Sequence, residues 1–268
     1  MKKFRMKKSL GQHFLTDKNI AKKIVNLAHL QENENVWEIG PGRGILTNEL
    51  VDQKCILTCF EIDSDLIPLL KKRFNSKVEL INVDILKINW QDYLPKEKVK
   101  IVANLPYQIT SPFLYKVTKK AHNFSKVVLM IQKEVAKRIA ADIGSKDYGK
   151  LTLKIQFYFN VDYGFTVGPQ VFKPQPKVNS AVIILRPRED KPILEDEELF
   201  WHIVKVGFRN RRKMLRRNLR MLIPKPQVEK LKSLCNIALT RRAETLSESE
   251  FIELYDGIRK LKRDNDLD

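Results

Sequence analysis

The residues with the clearest chemical potential are Asn104-Leu105-Pro106-Tyr107, which directly follow the apolar run 99–103. That run predicts a buried β-strand, so the four residues would lie at its carboxyl end. The Asn104 amide oxygen and the Leu105 carbonyl are acceptors, and Pro106 restricts the backbone around itself. Tyr107 adds a flat aromatic face. Two acceptors beside a stacking face suit an exocyclic amino group on a planar base, although an ordinary proline turn has the same pattern.

The charge of the chain narrows the class of partner. Its 268 residues include 50 Lys and Arg against 32 Asp and Glu, a net charge of +18. Such an excess is unusual for an enzyme of small metabolites and favours a polyanion, with nucleic acid first and an anionic membrane surface second. No apolar run is long enough to span a bilayer, and no signal-type stretch follows the basic N-terminal segment. We therefore expect a cytoplasmic protein without a membrane partner.

Cysteine and histidine do not suggest a metal centre. Cys55, Cys59 and Cys235 are scattered and form no C-x-x-C pair, and the four histidines show no metal-ligand spacing. Neither structural zinc nor a disulfide framework is expected.

Strands and helices are predicted to alternate from about residue 35 to 187, which indicates an α/β fold with a mostly parallel sheet. The predicted strands are 36–39, 55–62, 78–83, 98–103 and 126–131. The predicted helices are 45–51, 65–74, 112–120 and 134–141. Two further β-rich stretches, 151–161 and 180–185, lack a long helix between them, which favours an antiparallel hairpin at the sheet edge.

The composition changes near residue 190. An acidic run at 195–198 precedes a part that is predicted to be all helical, with helices at 200–222, 227–234 and 248–261. We therefore predict two domains, 1–190 with the sheet and 191–268 with helices only.

A glycine-rich loop, Glu38-Ile39-Gly40-Pro41-Gly42-Arg43-Gly44, follows the first predicted strand. A dinucleotide site requires G-x-G-x-x-G, but Ile45 occupies the third glycine position. The loop instead resembles the E-x-G-x-G-x-G loop of S-adenosylmethionine methyltransferases.

Two acids complete this predicted ligand site. Glu61 ends the second strand, where it could accept from both ribose hydroxyls, and Asp84 ends the third, where it could accept from an adenine amino group. Each acid alone is more commonly a helix cap. Their joint position at successive strand ends favours a cofactor site.

The segment 104–107 would then act on a nucleobase. The lone pair of its amino nitrogen is delocalised into the ring, so the nitrogen is a poor nucleophile. Acceptors at Asn104 and Leu105 could bond both N–H groups and favour a pyramidal nitrogen that faces the methyl donor. Tyr107 could stack on an extruded base. No His or carboxylate is assigned to take the released proton, which solvent could accept.

The chain resembles the rRNA adenine N6-dimethyltransferases over nearly its whole length. The match consists of the loop 38–44, residues 61–63, Asp84 and 104–107, together with these motifs: L-G-Q-H-F-L at 10–15, Q-K-E-V at 132–135, Y-G-K-L at 148–151, V-F-K-P-Q-P-K-V-N-S-A-V at 171–182 and F-R-N-R-R-K at 208–213. The resemblance implies a Rossmann-like methyltransferase sheet with a small all-α C-terminal domain that binds RNA.

The resemblance also implies the reaction and the residues at the site. Four methyl groups would pass from S-adenosylmethionine to two adjacent adenosines in the 3′-terminal hairpin of 16S rRNA, in a precursor of the small ribosomal subunit. The cofactor would contact His13, Leu15, Gly40, Gly42, Glu61, Asp84 and Asn104. The catalytic set would be Asn104, Leu105, Pro106, Tyr107 and Phe172.

Two of these assignments have alternatives. Phe172, in the proline-rich loop, would be a second aromatic near the base, but its alternative is plain core packing. Many family members carry Asn at the position of His13, so its role depends on whether the contact uses the backbone or the side chain.

A basic stretch between residues 205 and 220 contains no acid. Apolar residues at 200, 203, 204, 208, 215 and 219 recur at helical spacing and would face a core. A solvated helix face is the alternative, but a run of one sign repels itself, so rRNA phosphate is the expected partner. The predicted RNA-binding residues are Arg209, Arg211, Arg212, Lys213, Arg216, Arg217 and Arg220.

Three other functions stay open at this point. The nearest is a dimethylase of large-subunit rRNA, of the macrolide-resistance type, although the proline-rich loop and F-R-N-R-R-K favour the small-subunit group. A nicotinamide oxidoreductase is opposed by the missing third glycine and by the charge. A non-catalytic RNA-binding assembly factor is opposed by the intact acids and by residues 104–107. A monomer is the simplest expectation for the oligomeric state.

Overall fold

The computed structural model describes residue 7 and residues 11–265, and the side chains of these up to residue 263. Apart from Lys7, the basic segment predicted at the start of the chain lies outside the described residues. The chain divides into two compact units. The sheet unit comprises Met1–Lys137 and Tyr158–Glu189, and the helical unit comprises Arg138–Phe157 and Asp190–Asp268.

The described strands include the five predicted parallel strands in their predicted order, and also two short strands, Phe14–Leu15 and Phe172–Lys173, that were not predicted. They are β1 (Phe14–Leu15), β2 (Asn35–Ile39), β3 (Ile56–Glu61), β4 (Glu79–Asn82), β5 (Val99–Asn104), β6 (Phe124–Gln132), β7 (Phe159–Val167), β8 (Phe172–Lys173) and β9 (Ser180–Pro187).

The described helices extend over both units. They are α1 (Lys18–Ala28), α2 (Ile45–Val51), α3 (Ile67–Phe74), α4 (Thr110–Lys119), α5 (Lys133–Ile139), α6 (Lys150–Tyr158), α7 (Glu197–Gly207), α8 (Leu215–Leu219), α9 (Lys225–Leu234) and α10 (Glu248–Asn265).

The main sheet has the strand order β4-β3-β2-β5-β6-β9-β7. The first five strands pair in parallel, whereas β9 pairs antiparallel with both β6 and β7. The predicted α/β fold with an antiparallel hairpin at the sheet edge is therefore confirmed. Parallel strands need helical crossovers that cover both faces, which explains their nearly continuous apolar sequences.

Neighbouring side chains of β2 point to opposite faces of the sheet and show how each face is covered. Val36 belongs to a buried cluster with Ile24 of α1 and with Val102. Trp37 packs edge-on against Phe60 and Trp90 on the other face, with ring centroids 4.9 and 5.8 Å away. Two packed layers therefore hold the strands in place.

Helix α1 is absent from the predicted elements, although its sequence contains clear signals. The Asp17 carboxylate caps the helix by accepting from the amides of Asn19 and Ile20 at 2.8 and 3.1 Å. Buried residues recur at helical spacing, at positions 21, 24, 25 and 28.

The prediction of a β-rich stretch over 151–161 is wrong for its first part, which forms α6. Apolar and polar residues alternate there, as in a half-buried strand. Thr152 and Gln156, however, are four residues apart and share one helix face. The Thr152 hydroxyl donates to the Arg138 carbonyl at 2.6 Å, and the Gln156 amide donates to the Ile139 carbonyl at 3.0 Å. These bonds supply donors to carbonyls at the end of α5. The helix is therefore stabilised by contacts with another element, although the local sequence pattern favours a strand.

The prediction of a single helix over 200–222 is also wrong, because the chain breaks between α7 and α8. At Met214 the backbone is extended, and the first amides of α8 bond other carbonyls: Leu215 N donates to Arg241 O at 2.7 Å, and Arg216 N donates to Leu239 O at 2.9 Å. Residues 208–213 therefore form a turn rather than the helix expected for the F-R-N-R-R-K motif.

The helical unit also contains the segment Arg138–Phe157, which the predicted boundary near residue 190 left in the first domain. Phe157 accounts for this placement, because its ring lies 5.3 Å from that of Phe200 and 5.1 Å from that of Trp201. Among the described residues, no helix is both long and apolar enough to cross a membrane.

The buried side chain of Asn218 bridges the break between α7 and α8. Its amide donates to the Gly207 carbonyl at 2.6 Å and to the Asn210 carbonyl at 3.3 Å. We expect Asn218→Ala to lower the free energy of unfolding by about 2 kcal/mol, because it removes the donor to the buried Gly207 carbonyl and to the partly buried Asn210 carbonyl. Urea unfolding followed by circular dichroism measures this change. Asn236→Ala removes an exposed amide of the same unit as the control, and an equal loss in both variants would contradict the bridging role.

Candidate functional site

The carboxyl ends of the parallel strands surround a cavity of about 250 Å³ in the sheet unit. All predicted catalytic and cofactor-binding residues line this one cavity: His13, Leu15, Gly40, Gly42, Glu61, Asp84, Asn104, Leu105, Pro106, Tyr107 and Phe172. The position agrees with the general location of ligands in open α/β sheets. The predicted RNA-binding arginines lie in the helical unit.

The glycine loop between β2 and α2 keeps its backbone close to the cavity. Gly42 has a φ of +59° and donates its amide to the Glu61 carboxylate at 3.0 Å. Gly44 has a φ of +77° at the start of α2, and a Cβ there would lie 2.5 Å from the Phe74 ring. Glycine at position 44 is therefore required both by the left-handed conformation and by the packing of α3.

Glu61 is almost completely buried and has a fixed orientation. Its second carboxylate oxygen accepts from the Asp63 amide at 2.8 Å. Burial raises the pKa of Glu61, while the backbone donors Asp63 and Gly42 act in the opposite direction. Each oxygen accepts one amide hydrogen and has a second lone pair, so the carboxylate can still accept from a diol in the cavity.

Asp63 ties the start of the chain to the end of β3, a role that the sequence did not indicate. Its carboxylate accepts from the Gln12 amide at 2.7 Å and from the Lys7 ammonium. Burial raises the pKa of Asp63, but these two donors, the Asp65 amide and the Lys7 charge together outweigh burial, and the net pKa lies below the ordinary value. Gln12 belongs to the segment 11–15, which forms one wall of the cavity, so its bond to Asp63 helps to hold this wall.

His13 contacts the other walls through both its backbone and its ring. Its carbonyl accepts from the Asn104 side-chain amide at 3.3 Å, which leaves the Asn104 amide oxygen as an acceptor. Its ring Nδ1 lies 2.7 Å from the Pro174 carbonyl and therefore donates to it. The contact with Asn104 uses the backbone, so an Asn at position 13 would preserve it.

The loop that carries Phe172 is held against this N-terminal strand. Strands β1 and β8 pair antiparallel, with Leu15 opposite Phe172. Phe172 is only 3% exposed and belongs to the buried cluster of the sheet unit, although it also lines the cavity. Core packing therefore accounts for most of its surface, and its contact with a base stays a prediction.

Tyr107 is half-buried and anchored at its hydroxyl. The hydroxyl lies 2.8 Å from the Ser180 hydroxyl on β9, and Ser180 is fully buried. Burial raises the pKa of Tyr107, so the phenol is neutral at pH 7. The ring lies 5.7 Å from the His13 ring at an angle of 31°. An anchored, neutral aromatic ring at a cavity wall is suited to stacking.

Glu38 is a further cavity residue that was predicted only as part of the glycine loop. Its Oε2 accepts from the Thr47 hydroxyl at 2.7 Å, whereas Oε1 is buried without a hydrogen-bond partner among the described residues. Burial raises the pKa of Glu38 to about 7. A cation bound in the cavity would favour the ionised carboxylate, so cation binding and proton release are linked here.

Ile62 is also missing from the predicted site residues. It follows Glu61, lines the cavity and is 47% exposed, although its side chain is apolar. Its only signal in the sequence is its position directly after the strand-end acid Glu61, because exposure is known only from the structure. It offers an apolar contact to a ligand in the cavity.

The basic residues of the helical unit do not all serve the same purpose. The Arg211 guanidinium forms hydrogen bonds within the helical unit. It donates to the Lys146 and Tyr148 carbonyls at 2.8 and 2.9 Å and to Glu244. Of the other predicted residues, Arg216 is half-buried, whereas five are exposed and form no ion pair among the described residues: Arg209, Arg212, Lys213, Arg217 and Arg220. These five are better candidates for phosphate contacts than Arg211.

Comparisons with known proteins agree with this geometry. The family model described as ribosomal RNA adenine dimethylase matches residues 3–260. The chain is 40% identical to the ribosomal RNA small subunit methyltransferase A of Geobacillus thermodenitrificans over 97% of this chain and 93% of that protein.

Two solved structures are similar to most of the chain. The dimethyladenosine transferase of Plasmodium falciparum has a TM-score of 0.78 and 27% identity, over 92% of this chain and 98% of that one. The 23S rRNA methyltransferase ErmE has a TM-score of 0.69 and 27% identity, over 92% and 99% of the two chains.

The buried Glu38 makes stability depend on pH in a defined direction. Its pKa is about 7 in the folded chain against an ordinary 4.5, so ionisation costs stability as the pH rises through this interval. We expect Glu38→Gln to have little effect near pH 5 and to stabilise the ligand-free chain by about 1–3 kcal/mol at pH 8. Thermal unfolding at several pH values measures this difference, with Glu97→Gln as the exposed control. A difference that does not change with pH would refute the assignment.

Proposed function

Because the chain belongs to the ribosomal RNA adenine dimethylase family, we propose that it methylates two adjacent adenosines in the 3′-terminal hairpin of small-subunit rRNA, twice each at N6. The observation that carries the proposal is that residues 104–107 line the same cavity as Glu61 and Asp84. The choice of the small subunit is supported by the 40% identity to a small subunit methyltransferase, against 27% to the 23S enzyme.

The described residues fit S-adenosylmethionine as the methyl donor. The glycine loop brings backbone to the cavity without the third glycine that a pyrophosphate site requires. Glu61 would accept from the ribose hydroxyls and Asp84 from the adenine amino group, which is supported by the position of both residues in the cavity wall. The unpartnered oxygen of Glu38 suits a cationic ligand. When bound, the donor supplies a methyl group on a sulfonium, which is a good leaving group.

Asn104 and Leu105 prepare the nitrogen that is methylated. The Asn104 amide nitrogen donates to the His13 carbonyl, so the amide oxygen of this cavity residue stays available as an acceptor. The Leu105 carbonyl is the second acceptor, and its position is set by the bond from Leu105 N to the Met130 carbonyl at 3.1 Å. Bonds from both N–H groups to these oxygens favour a pyramidal nitrogen with an available lone pair.

Tyr107 holds the base in this orientation by stacking. Extrusion of an adenosine from a hairpin costs a few kcal/mol, which a stacking ring helps to offset. After the first methylation only one N–H group is left for the two acceptors, so the second step depends more strongly on stacking. The proton released in each step passes to solvent.

Basic residues of both units would contact RNA phosphates. The sheet unit contains 28 Lys and Arg against 16 Asp and Glu, and the helical unit contains 22 against 16, which together give the 50 and 32 of the chain. An excess in each unit supports RNA contacts by both, rather than by the helical unit alone. We expect the monomer to be the active form.

The substrate is tested with purified small subunits that lack the modification. After incubation with the protein and S-adenosylmethionine, we expect dimethyladenosine in the small-subunit rRNA by nucleoside mass spectrometry. Large subunits from the same cells are the matched control. Incorporation into large-subunit rRNA alone would overturn the choice of substrate, and incorporation into neither would overturn the activity.

Tyr107→Ala separates base binding from donor binding. We expect methyl transfer to fall by about 100-fold or more, because the loss of stacking leaves the base unheld. Affinity for S-adenosylhomocysteine, measured by calorimetry, should change by less than about threefold. Tyr107→Phe removes only the bond to Ser180 and should retain most of the activity. Equal activity in all three proteins would remove Tyr107 from the base site.

The two kinds of arginine in the helical unit should respond differently to substitution. We expect Arg212→Ala to weaken rRNA binding about fivefold and to reduce the salt dependence of binding by about one unit, without loss of stability. Arg211→Ala should instead lower the melting temperature, because two carbonyls and Glu244 lose their donor. Filter binding at several salt concentrations and thermal unfolding distinguish the two outcomes. The reverse pattern would contradict these assignments.

A further inference from the structure

The loop that follows Asp84 is organised around one ammonium group. Lys116 of α4 donates from Nζ to the carbonyls of Ile85 and Leu86, each at 3.0 Å, and to the carbonyl of Ile88 at 2.5 Å. Three carbonyl oxygens that converge on one point repel each other unless a cation lies between them. The conformation of residues 85–88 therefore depends on the charge of Lys116.

Trp90 closes this arrangement from the other side. Its indole N–H donates to the Ile85 carbonyl at 2.8 Å, and the Lys116 Nζ lies 5.2 Å from the centre of a Trp90 ring. Trp90 itself is buried. Burial lowers the pKa of Lys116, and the Asp84 carboxylate opposes this shift. The ammonium thus lies close enough to Asp84 for the two charges to interact.

Leu86 connects Lys116 to the cavity. The Leu86 carbonyl accepts from Lys116, while the amide of the same residue donates to the Asp84 Oδ1 at 3.0 Å. Asp84 lines the cavity together with Val83 and Ile85, and its side chain is 26% exposed. The other oxygen, Oδ2, lies 3.9 Å from the exposed Lys87 ammonium, which is a weaker contact. Displacement of residue 86 would therefore remove the hydrogen bond that orients Oδ1.

We propose that Lys116 is the positioning residue for the purine end of the donor site, and that it selects adenine over a 6-oxopurine. It holds residues 85–88 so that the Asp84 carboxylate stays directed at the adenine amino group. The inference rests on the proposed function insofar as the donor is an adenine nucleoside. A 6-oxopurine would present a carbonyl to the carboxylate, and two acceptors cannot bond each other.

The test measures nucleoside discrimination by binding, not by activity. Calorimetry gives the affinities of the full chain for S-adenosylhomocysteine and S-inosylhomocysteine, which carry an amino group and an oxo group at the same purine position. We expect the wild-type chain to prefer the adenine compound by on the order of 100-fold. Lys116→Met, which retains side-chain length without charge or donor, should reduce this preference about 10-fold. Lys119→Met, on the exposed face of the same helix, should not change it.

A double-mutant cycle separates positioning from general destabilisation. If Lys116 acts through Asp84, then Asp84→Ala and Asp84→Ala/Lys116→Met should show the same reduced preference. Lys116→Gln can still donate to one carbonyl, so it should give an intermediate preference and provides a second variant if the methionine variant does not fold.

Three outcomes would overturn the inference: a wild-type chain without a preference, a Lys116→Met variant with the wild-type preference, or a further loss of preference in the double variant. The proposed function can fail separately. If the affinity ratios are as expected but small-subunit rRNA is not methylated, the proposed function is contradicted and the role of Lys116 in donor binding still holds.

Discussion

Parallel strand register is the constraint on which the site depends. Ile39 of β2 lies opposite Phe60 of β3 and opposite Ala103 of β5, so the next residues, Gly40, Glu61 and Asn104, lie at one level at the carboxyl ends of the three strands. A shift of one residue in either pair would turn the side chains of that strand to the opposite face. The backbone ladder thus brings together residues that are more than sixty positions apart in sequence.

The acids around the cavity are held in three different ways. Asp63 is stabilised by two side-chain donors, and its pKa lies below the ordinary value. Glu61 accepts two backbone amides, one on each carboxylate oxygen, and Glu38 retains an oxygen without a partner among the described residues and a pKa of about 7. An unpaired buried oxygen is costly, so natural proteins retain it mainly where a ligand or function compensates. The least satisfied acid is therefore the one most sensitive to what the cavity binds.

Agreement between sequence and structure is close where local chemistry decides the structure, and poor where distant partners do. The glycine loop, the strand-end acids and residues 104–107 could all be recognised, because glycine conformation and strand ends are local properties. The prediction of a β-rich stretch over 151–161 is wrong for its first part, because the polar residues there lie on one helix face and donate to the carbonyls of Arg138 and Ile139. The helix expected over 200–222 is interrupted because carbonyls at 239 and 241 take the amides of α8. The anchoring role of Asp63 and the link from Lys116 to Asp84 likewise have no signal in local sequence.

The sequence by itself determined the α/β class, the kind of cofactor loop, the family and the position of residues 104–107, with two acceptors and an aromatic ring, at the end of a strand. These follow from residue type and spacing, which hydrophobic periodicity and backbone sterics translate directly into structure. Only the tertiary structure decided that His13 acts on Asn104 through its carbonyl, that Tyr107 is anchored to Ser180, and that Arg211 is committed inside its own unit. The physical reason is that hydrogen bonds between residues far apart in the chain depend on the packing of whole elements, and no local pattern encodes their partners.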